Sequence, residues 1–463
     1  MKPLSVINDP IHSTMDFTSA EKKTIKPIID SAVFQRLRHI KQLGLGDMVF
    51  PGAVHTRFNH GIGACFLAKK IVLRIKQDLG NLTQWEETLP LIAGLIHDIG
   101  HGPFSHAFEK LFCDKNEKST VDHEQWTEMF MDDMASNNIV NMNDFQKHDI
   151  INAIEHKPLK KIRQVIGDIV SSQLDCDRLD YLLRDSHFCG VTYGTYDLNW
   201  LMGCITVVTE SKKSPRLGIN RKGLGAVEQL LISRRLMHQN VYYNGKVKGA
   251  EFILIEFLKG LVEDINKKPE DLEKILSSQL FQFLSNAYEL IDSAKTKGSG
   301  ELKRETKKFK SDSFRYYKQL TDYDVWSAIR AVVSNKRSVS KKTAETASRL
   351  YERKLPSVFS LEKSSIEGAA FIVEDYRAKN NIAAWKLGIL DLGVKSYKGD
   401  DSQILILQGN GTTKSLSSAS HLIGSVTDVT ESTCFLRIDD EIKSETKDLI
   451  KKLNKKQYLA TGY

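Results

Sequence analysis

His97-Asp98-Ile99-Gly100-His101-Gly102-Pro103-Phe104-Ser105-His106 is the stretch on which the reading of this 463-residue chain turns. An adjacent His-Asp pair offers one imidazole nitrogen and one carboxylate oxygen to a divalent cation. Two further histidines, His101 and His106, follow where Gly100 and Gly102-Pro103 break a helix. The dipeptide alone says little, since His148-Asp149 has the same letters and no such company. Its meaning depends on partners elsewhere in the chain.

Upstream, His55-Thr56-Arg57-Phe58-Asn59-His60 opens an apolar run in which Ile62, Phe66, Leu67, Ile71 and Ile75 recur at helical spacing. Downstream lies Leu174-Asp175-Cys176-Asp177-Arg178-Leu179-Asp180-Tyr181-Leu182-Leu183-Arg184-Asp185. His60, His97, Asp98 and Asp177 together give two nitrogens and two oxygens, a mixed donor set that suits Mn, Fe, Zn or Mg with water completing the sphere. On a helix, Asp177, Tyr181 and Asp185 share one face while Leu179, Leu182 and Leu183 turn to the core. Arg234, His238 and Tyr242 are likewise spaced by four on a helix predicted from Val227 to Tyr242. Arg57, one turn before His60, presents a planar fork to phosphate oxygens. His101 and His123 are the best-placed proton handlers, with Glu109 to orient one of them. His12, His39, His148, His156 and His187 lack such neighbours and are read as structural.

The order H…HD…D resembles the HD-domain metal phosphohydrolases. Longer strings resemble one branch of them, the deoxynucleoside triphosphate triphosphohydrolases, which include the catalytic domain of the human SAM-and-HD-domain enzyme and its bacterial relatives. These strings are Val6-Ile7-Asn8-Asp9-Pro10-Ile11-His12, Phe34-Gln35-Arg36-Leu37-Arg38, Lys41-Gln42-Leu43-Gly44, Phe50-Pro51-Gly52-Ala53, the run from His55 to His60, Asp177 to Asp185, and Gly190-Val191-Thr192-Tyr193-Gly194. The match begins at residue 6 and runs to about residue 250, so the expectation is a catalytic core without the amino-terminal SAM module. The resemblance implies a mainly α, HD-domain helical hydrolase core with a divalent metal (Mn, Mg, Fe or Zn) on His60, His97, Asp98 and Asp177. It implies a His-acid-His relay of His101, Glu109 and His123 beside the metal. His106 matches a histidine near the scissile phosphate, a candidate acid for the leaving 5′-oxygen. Which histidine donates stays open.

It also implies a nucleotide pocket lined by Gln42, Leu43, Arg178, Tyr181, Asp185, Arg234, His238 and Tyr242. Gln42 and Leu43 there pack on the deoxyribose and leave little room for a 2′-hydroxyl. Asp30, Gln35 and Arg38 match positions that bind an activating guanine nucleotide between subunits, so the expected partners are dNTPs, an activating nucleotide and copies of this chain in a dimer or tetramer. Three positions depart from the pattern. Arg178 stands where the human enzyme has lysine, Ser5 where it also has lysine, and Asn244-Gly245-Lys246 where many relatives carry a His-Lys pair.

The expected reaction is attack of water on the α-phosphate of a dNTP, giving a deoxynucleoside and inorganic triphosphate. The alternative is an HD-type nuclease on single-stranded nucleic acid, which calls for an open basic groove with stacking side chains. A non-catalytic nucleotide sensor is a third reading, and the complete ligand set counts against it.

A hydrophobic content of 41% and a charged content of 27% are those of a globular chain, and 463 residues allow two or three subdomains. No apolar stretch reaches membrane-spanning length, and MKPLSVINDPIH lacks a signal-peptide apolar region, so a cytoplasmic protein is expected. The six cysteines show no CxxC spacing. The net charge of +8 is modest, and the lysine-rich runs 303–310 and 336–342 read as solvated faces. The expected organisation is a catalytic core over 1–265, a helical extension over 266–364 with a basic exposed loop near 295–312, and a small α+β C-terminal appendage over 365–463. Within the last, 368–373, 404–407 and 434–438 read as strands and 441–453 as a closing helix. Asp322 is expected to cap a helix over 320–329.

Overall fold

The apolar positions Ile62, Phe66, Leu67, Ile71 and Ile75 form the buried stripe of a 23-residue helix around which the other elements pack. The computed structural model describes residues 5–113, 120–140, 143–209, 214–296, 299–362, 365–393, 404–424 and 432–459. The architecture is mainly α, with three small sheets.

The chain opens with an antiparallel hairpin, β1 (Ser5–Asp9) and β2 (Ser13–Phe17). Asp9 Oδ1 accepts from the backbone N–H groups of Ile11 and His12 and shapes the turn. Helix α1 (Ser19–Ile29) starts at a Thr18–Glu21 capping box. The central helix α2 (Arg57–Leu79) starts at Thr56 with Asn59 as its partner, and α3 (Gln84–Ile96) at Thr83 with Glu86. Because α3 ends at Ile96, His97 and Asp98 emerge at its C-terminus. Helix α4 (His123–Ser136) begins at Asp122, whose side chain caps Gln125 N. Asp175 likewise caps α5 (Cys176–Cys189), which stops at Gly190 with φ +69°.

Helix α6 (Leu224–Met237) does not run on as an α-helix to Tyr242. Residues His238–Tyr242 form a π turn, and the extra residue rotates them relative to Arg234. The next helix, α7 (Gly245–Lys267), is capped by Asn244, whose side chain accepts from Lys246 N and Val247 N. A Cβ at Gly245 would come within 2.8 Å of Val358. The Asn-Gly departure from the family pattern thus starts a helix and clears a close approach.

Helices α8 (Ser278–Thr296) and α9 (Ser299–Tyr317) pack on one another. The basic stretch expected as an exposed loop near 295–312 is therefore helical from Ser299, with residues 297–298 outside the described set. Lys303, Lys307 and Lys308 face outward, while Phe309 is buried against Phe112 and Phe283. Burying such a ring contributes about 1.5–3 kcal/mol, enough to hold a polar helix in place. Helices α10 (Asp322–Ser334) and α11 (Lys341–Tyr351) follow. The cap of α10 is Thr321 rather than Asp322, which is buried and used elsewhere.

One hydrophobic core runs from Met15 to Leu355 and takes in Ile404, Ile406 and Leu416. The boundary expected after residue 265 does not divide this core, because α7 is buried along most of its length between both sets of helices. Strands β3 (Ile205–Val208) and β4 (Arg216–Asn220) pair antiparallel. The C-terminal region adds β5 (Ser357–Leu361), α12 (Ile366–Lys379), β6 (Leu387–Gly393), β7 (Leu405–Leu407), β8 (Thr413–Ser415), β9 (Ser432–Ile438) and α13 (Lys447–Lys455). A sheet of order β5-β9-β6 carries α12 and α13 on a small core of its own, including Ala369, Ile372, Leu436 and Leu449. Strand β7 instead runs parallel to β4, so this segment returns to the main body. Residues 368–373, expected as a strand, lie on α12, where Ala369, Ile372 and Val373 bury one helical face. A six-residue apolar run does not distinguish the two states by its pattern alone. The closing helix begins at Lys447 rather than residue 441, after a tight turn at Asp440–Ile442. Among the described residues no helix is long and apolar enough to cross a membrane.

Candidate active site

Three helix ends meet at one point. His60 lies in the first turn of α2, His97 and Asp98 at the C-terminal end of α3, and Asp177 in the first turn of α5. Asp177 Oδ1 is 3.0 Å from His60 Nε2 and 3.5 Å from His97 Nε2. Asp98 closes the group, its oxygens 3.5 Å from His97 Nε2 and 3.7 Å from His60 Nε2.

The other ring nitrogens settle what these atoms offer. His97 Nδ1 is 2.9 Å from the carbonyl of Gly94, a group that only accepts, so Nδ1 carries the proton and Nε2 presents a lone pair. His60 Nδ1 lies 2.8 Å from Asp180 Oδ2 and is held the same way. The two Nε2 atoms then face each other at 3.1 Å, so a proton or a metal cation must lie between them. Burial opposes charge on His60, yet Asp177 and Asp180 outweigh it and raise its pKa to about 10. Burial is likewise overcome at His97, raised by Asp98 and Asp177, and at Asp98, held well below the usual carboxylate range by Arg57 and His97. The donor set fits a divalent metal, which displaces such a proton on binding.

The second group lies beside it. His101 stacks on His123 with ring centroids 3.9 Å apart. Glu109 Oε1 is 3.0 Å from His123 Nδ1, and its Oε2 is 3.2 Å from His106 Nδ1. His101 Nδ1 is 3.2 Å from Glu109 but makes no aligned hydrogen bond, and its Nε2 is 3.4 Å from Asp98. Burial, then Arg57 and His123, lower His101 to about 3, so it is neutral. Glu109 raises His123 against the cost of burial. His106 is two-thirds exposed.

The backbone of 99–105 is fixed from the helices beyond residue 265. Arg36 donates to the carbonyls of Ile99 and His101, and also to that of Leu320. Tyr317 OH donates to Gly100 O at 2.7 Å. Asp322 accepts from Phe104 N at 2.7 Å and from Lys41 N at 3.0 Å. These bonds hold Phe104 and Ser105 at φ +54° and +57°, a costly conformation for residues other than glycine. Ser105 Oγ in turn accepts from Arg57 Nε at 2.8 Å, and Arg57 also pairs with Asp98. Gly100 lets α4 approach, since a Cβ there would lie 2.0 Å from His123 O.

Residues of both groups border a cavity of about 560 Å³. Gln42, Leu43, Arg178, Tyr181, Asp185, His238 and Tyr242 line it, with Arg57, His97, Asp98, His101, His106, His123 and Asp177. Gln42 Oε1 is buried without a hydrogen-bond partner. Arg178 is held by Asp175, and Lys248 by Glu251, so the lining cations are already paired. Asp185 accepts from His55 Nε2 at 2.7 Å and from Tyr242 OH at 2.8 Å. Burial lowers His238 to about 4. Arg234 does not line the cavity. It donates to Gln173 Oε1 at 2.8 Å, one turn before the π turn that breaks the expected stripe.

Asp30, Gln35 and Arg38 lie on the surface away from this lining. Lys26 pairs with Asp30, while Arg38 Nε donates to Gln35 Oε1 at 2.7 Å and its guanidinium sits 3.5 Å from the centre of the Phe58 ring. Asp149 accepts from Trp85 Nε1 at 3.0 Å, a structural bond.

Sequence reasoning missed Asp180, Arg184, Asp9 and His55, and it set His12 aside as structural. Asp180 and Arg184 are fully buried, bonded to each other, and packed against Gly63, where a Cβ would lie 1.9 Å from Asp180. Their spacing of four on α5 was the available signal.

A family model described as HD domain matches residues 57–185. Uncharacterized protein MJ1154 of Methanocaldococcus jannaschii is 36% identical over 281 residues, 61% of this chain and 55% of its own length. Uncharacterized protein MG461 of Mycoplasma genitalium is 32% identical over 59% of this chain and 67% of its own. The deoxynucleoside triphosphate triphosphohydrolase SAMHD1 of Homo sapiens is 31% identical over 52% of this chain and 42% of its own. The chain spans about half the length of the first curated relatives it matches. A crystal structure of a phosphohydrolase from Bacteroides thetaiotaomicron superposes with a TM-score of 0.74 at 26% identity, covering 94% of this chain and 100% of that one.

Proposed function

The chain belongs to the HD-domain family, related to the deoxynucleoside triphosphate triphosphohydrolases, and from that premise we propose that it cleaves dNTPs to a deoxynucleoside and inorganic triphosphate. The observation that carries this reading is a bounded cavity with His97, Asp98 and Asp177 in its wall and a buried, unpartnered acceptor, Gln42 Oε1.

His60, His97 and Asp177, whose donor atoms already lie together, would hold the metal with Asp98 beside them, and the metal when bound would supply Lewis-acid charge and a lower pKa for water. Arg57, fixed by Ser105 and Asp98, directs its guanidinium at the phosphate that gains charge. Water attacks the α-phosphorus and gives up a proton, the bond to the 5′-oxygen breaks, and that oxygen takes a proton, so that the donor is restored by the one the water releases. The proton comes from the His106–Glu109–His123 group: Glu109 favours a protonated His123, whereas His101 stays neutral and lies between this group and Asp98. Leu43 and the Asp185–Tyr242 pair border the sugar, and Gln42 Oε1 accepts from one of its hydroxyls. The tight fit, more than the loss of a contact, disfavours a ribonucleotide.

Asp30, Gln35 and Arg38 form the proposed activator site of a cytoplasmic homo-oligomer, with support from the resemblance alone. The cavity favours a nucleotide over the nuclease reading, because the exposed lysines of α9 do not line it. The test is product analysis by ion-pairing chromatography, with each dNTP and NTP plus Mn²⁺, with and without guanine nucleotides. Deoxynucleoside plus intact triphosphate is the expected result. Loss of a single-stranded oligonucleotide without dNTP turnover would overturn it in favour of the nuclease.

A further inference from the structure

His12 sits at the tip of the β1–β2 hairpin, and its side chain is 2% exposed. Its Nε2 lies 2.6 Å from Asp180 Oδ1. Asp180 is completely buried and has one partner on each available side. Besides His12 it accepts from His60 Nδ1 at 2.8 Å, from Arg184 Nε at 2.8 Å and from Arg184 Nη2 at 2.9 Å. Arg184 is tied to the same hairpin, since its Nη1 donates to Asp9 Oδ2 at 2.8 Å. The carboxylate between hairpin and metal ligand therefore has no spare lone pair, and its orientation is set jointly by His12, Arg184 and His60.

We propose that His12 is a positioning residue for the metal centre: by fixing Asp180 it fixes the ring of His60, so that the N-terminal hairpin sets the affinity for the metal. This rests on the metal-site reading given above and on nothing about the substrate. A carboxylate that accepts from the outer nitrogen of a ligating imidazole holds its tautomer and rotation and increases the basicity of the inner nitrogen. Without His12, one lobe of Asp180 Oδ1 is left unpaired in a dry site, and Arg184 draws the carboxylate away from His60. The packing of the His12 ring near Phe66, with centroids 5.9 Å apart, is a separate contribution that a plain aromatic ring reproduces.

The experiment is calorimetric titration of Mn²⁺ into full-length protein without nucleotide, for wild type, His12→Ala, His12→Phe and His12→Gln, with the melting temperature of each metal-free protein measured alongside. The expected result is a Kd about 10- to 100-fold weaker in His12→Ala and His12→Phe, partly restored in His12→Gln, whose amide donates to Asp180. Should His12→Ala fail to fold, His12→Phe keeps the ring volume and carries the test. A lower melting temperature with an unchanged Kd shows that His12 is merely structural and overturns the proposal. Absence of Mn²⁺ binding to the wild type would instead overturn the metal-site reading itself, and this inference with it.

Discussion

The two halves of the site are held by different regions of the chain. The proposed ligand half, at His60, His97, Asp98 and Asp177, is braced by Asp180, Arg184 and the N-terminal hairpin, all within residues 5–189. The proposed relay half, at His101, His106, Glu109 and His123, stands on a loop pinned by Tyr317 and Asp322 from helices far along the chain. The imidazoles differ accordingly: His60 is fully buried and His106 is 67% exposed. The difference separates tasks. The side chains of the ligand half are mostly buried and already converge, whereas the relay half opens to solvent through His106 at the cavity wall.

The largest effect is expected at the ligand half. Asp177→Ala should abolish turnover and remove the bound metal, measured by dNTP hydrolysis and metal analysis of the purified protein. Retained turnover with an emptied site would break the division outright. Glu109→Gln, on the relay side, should lower kcat by about 10²- to 10³-fold while leaving metal content and Mn²⁺ affinity as in the wild type. A parallel loss of metal would show that the halves are one unit.

Asp322 gives a finer test, because burial lifts it to about 6 against the pull of the Lys41 and Phe104 amides. Its folded pKa is above its unfolded value of 3.8, so the native state takes up the proton more readily. The stability it contributes is full below pH 3.8 and is lost as pH rises through 6, by up to about 3 kcal/mol. Asp322→Asn should flatten that slope in urea melts between pH 4 and 7, with the Mn²⁺ Kd unchanged. The smallest effect belongs to Asp149→Ala. Among the described residues its carboxylate accepts from Trp85 at 3.0 Å and takes no part in the site, so turnover should match the wild type with at most about 1 kcal/mol lost in stability.

The ligand half was legible in the sequence because its residues cluster in short strings at helix ends. The spacing of Ile62 to Ile75 gave the helix carrying His60, and Gly100 gave the break after His97-Asp98. What holds the relay loop was not legible. Tyr317 and Asp322 lie more than two hundred residues away in sequence, and nothing local marks a buried carboxylate that accepts from Phe104 N. The basic stretch after residue 299 misled because its composition is that of a solvated loop, while a few positions such as Phe309 decide its packing. Of the stripe Arg234-His238-Tyr242, His238 and Tyr242 line the cavity and Arg234 does not, since a π turn alters the phase on which the spacing argument depends. Asp180 was hidden among leucines on α5, although a charge in that position is itself unusual.

His12 and Asp180 are 168 residues apart in the chain. During synthesis from the N-terminus, the hairpin is made well before the helix at 176–189 and waits for it before its central bond exists. Closing so long a loop comes late in folding, after the helices between have found one another. The hairpin's bond to Asp180 thus depends on the fold between them, and His60 has its full bracing only when both ends of that span have met.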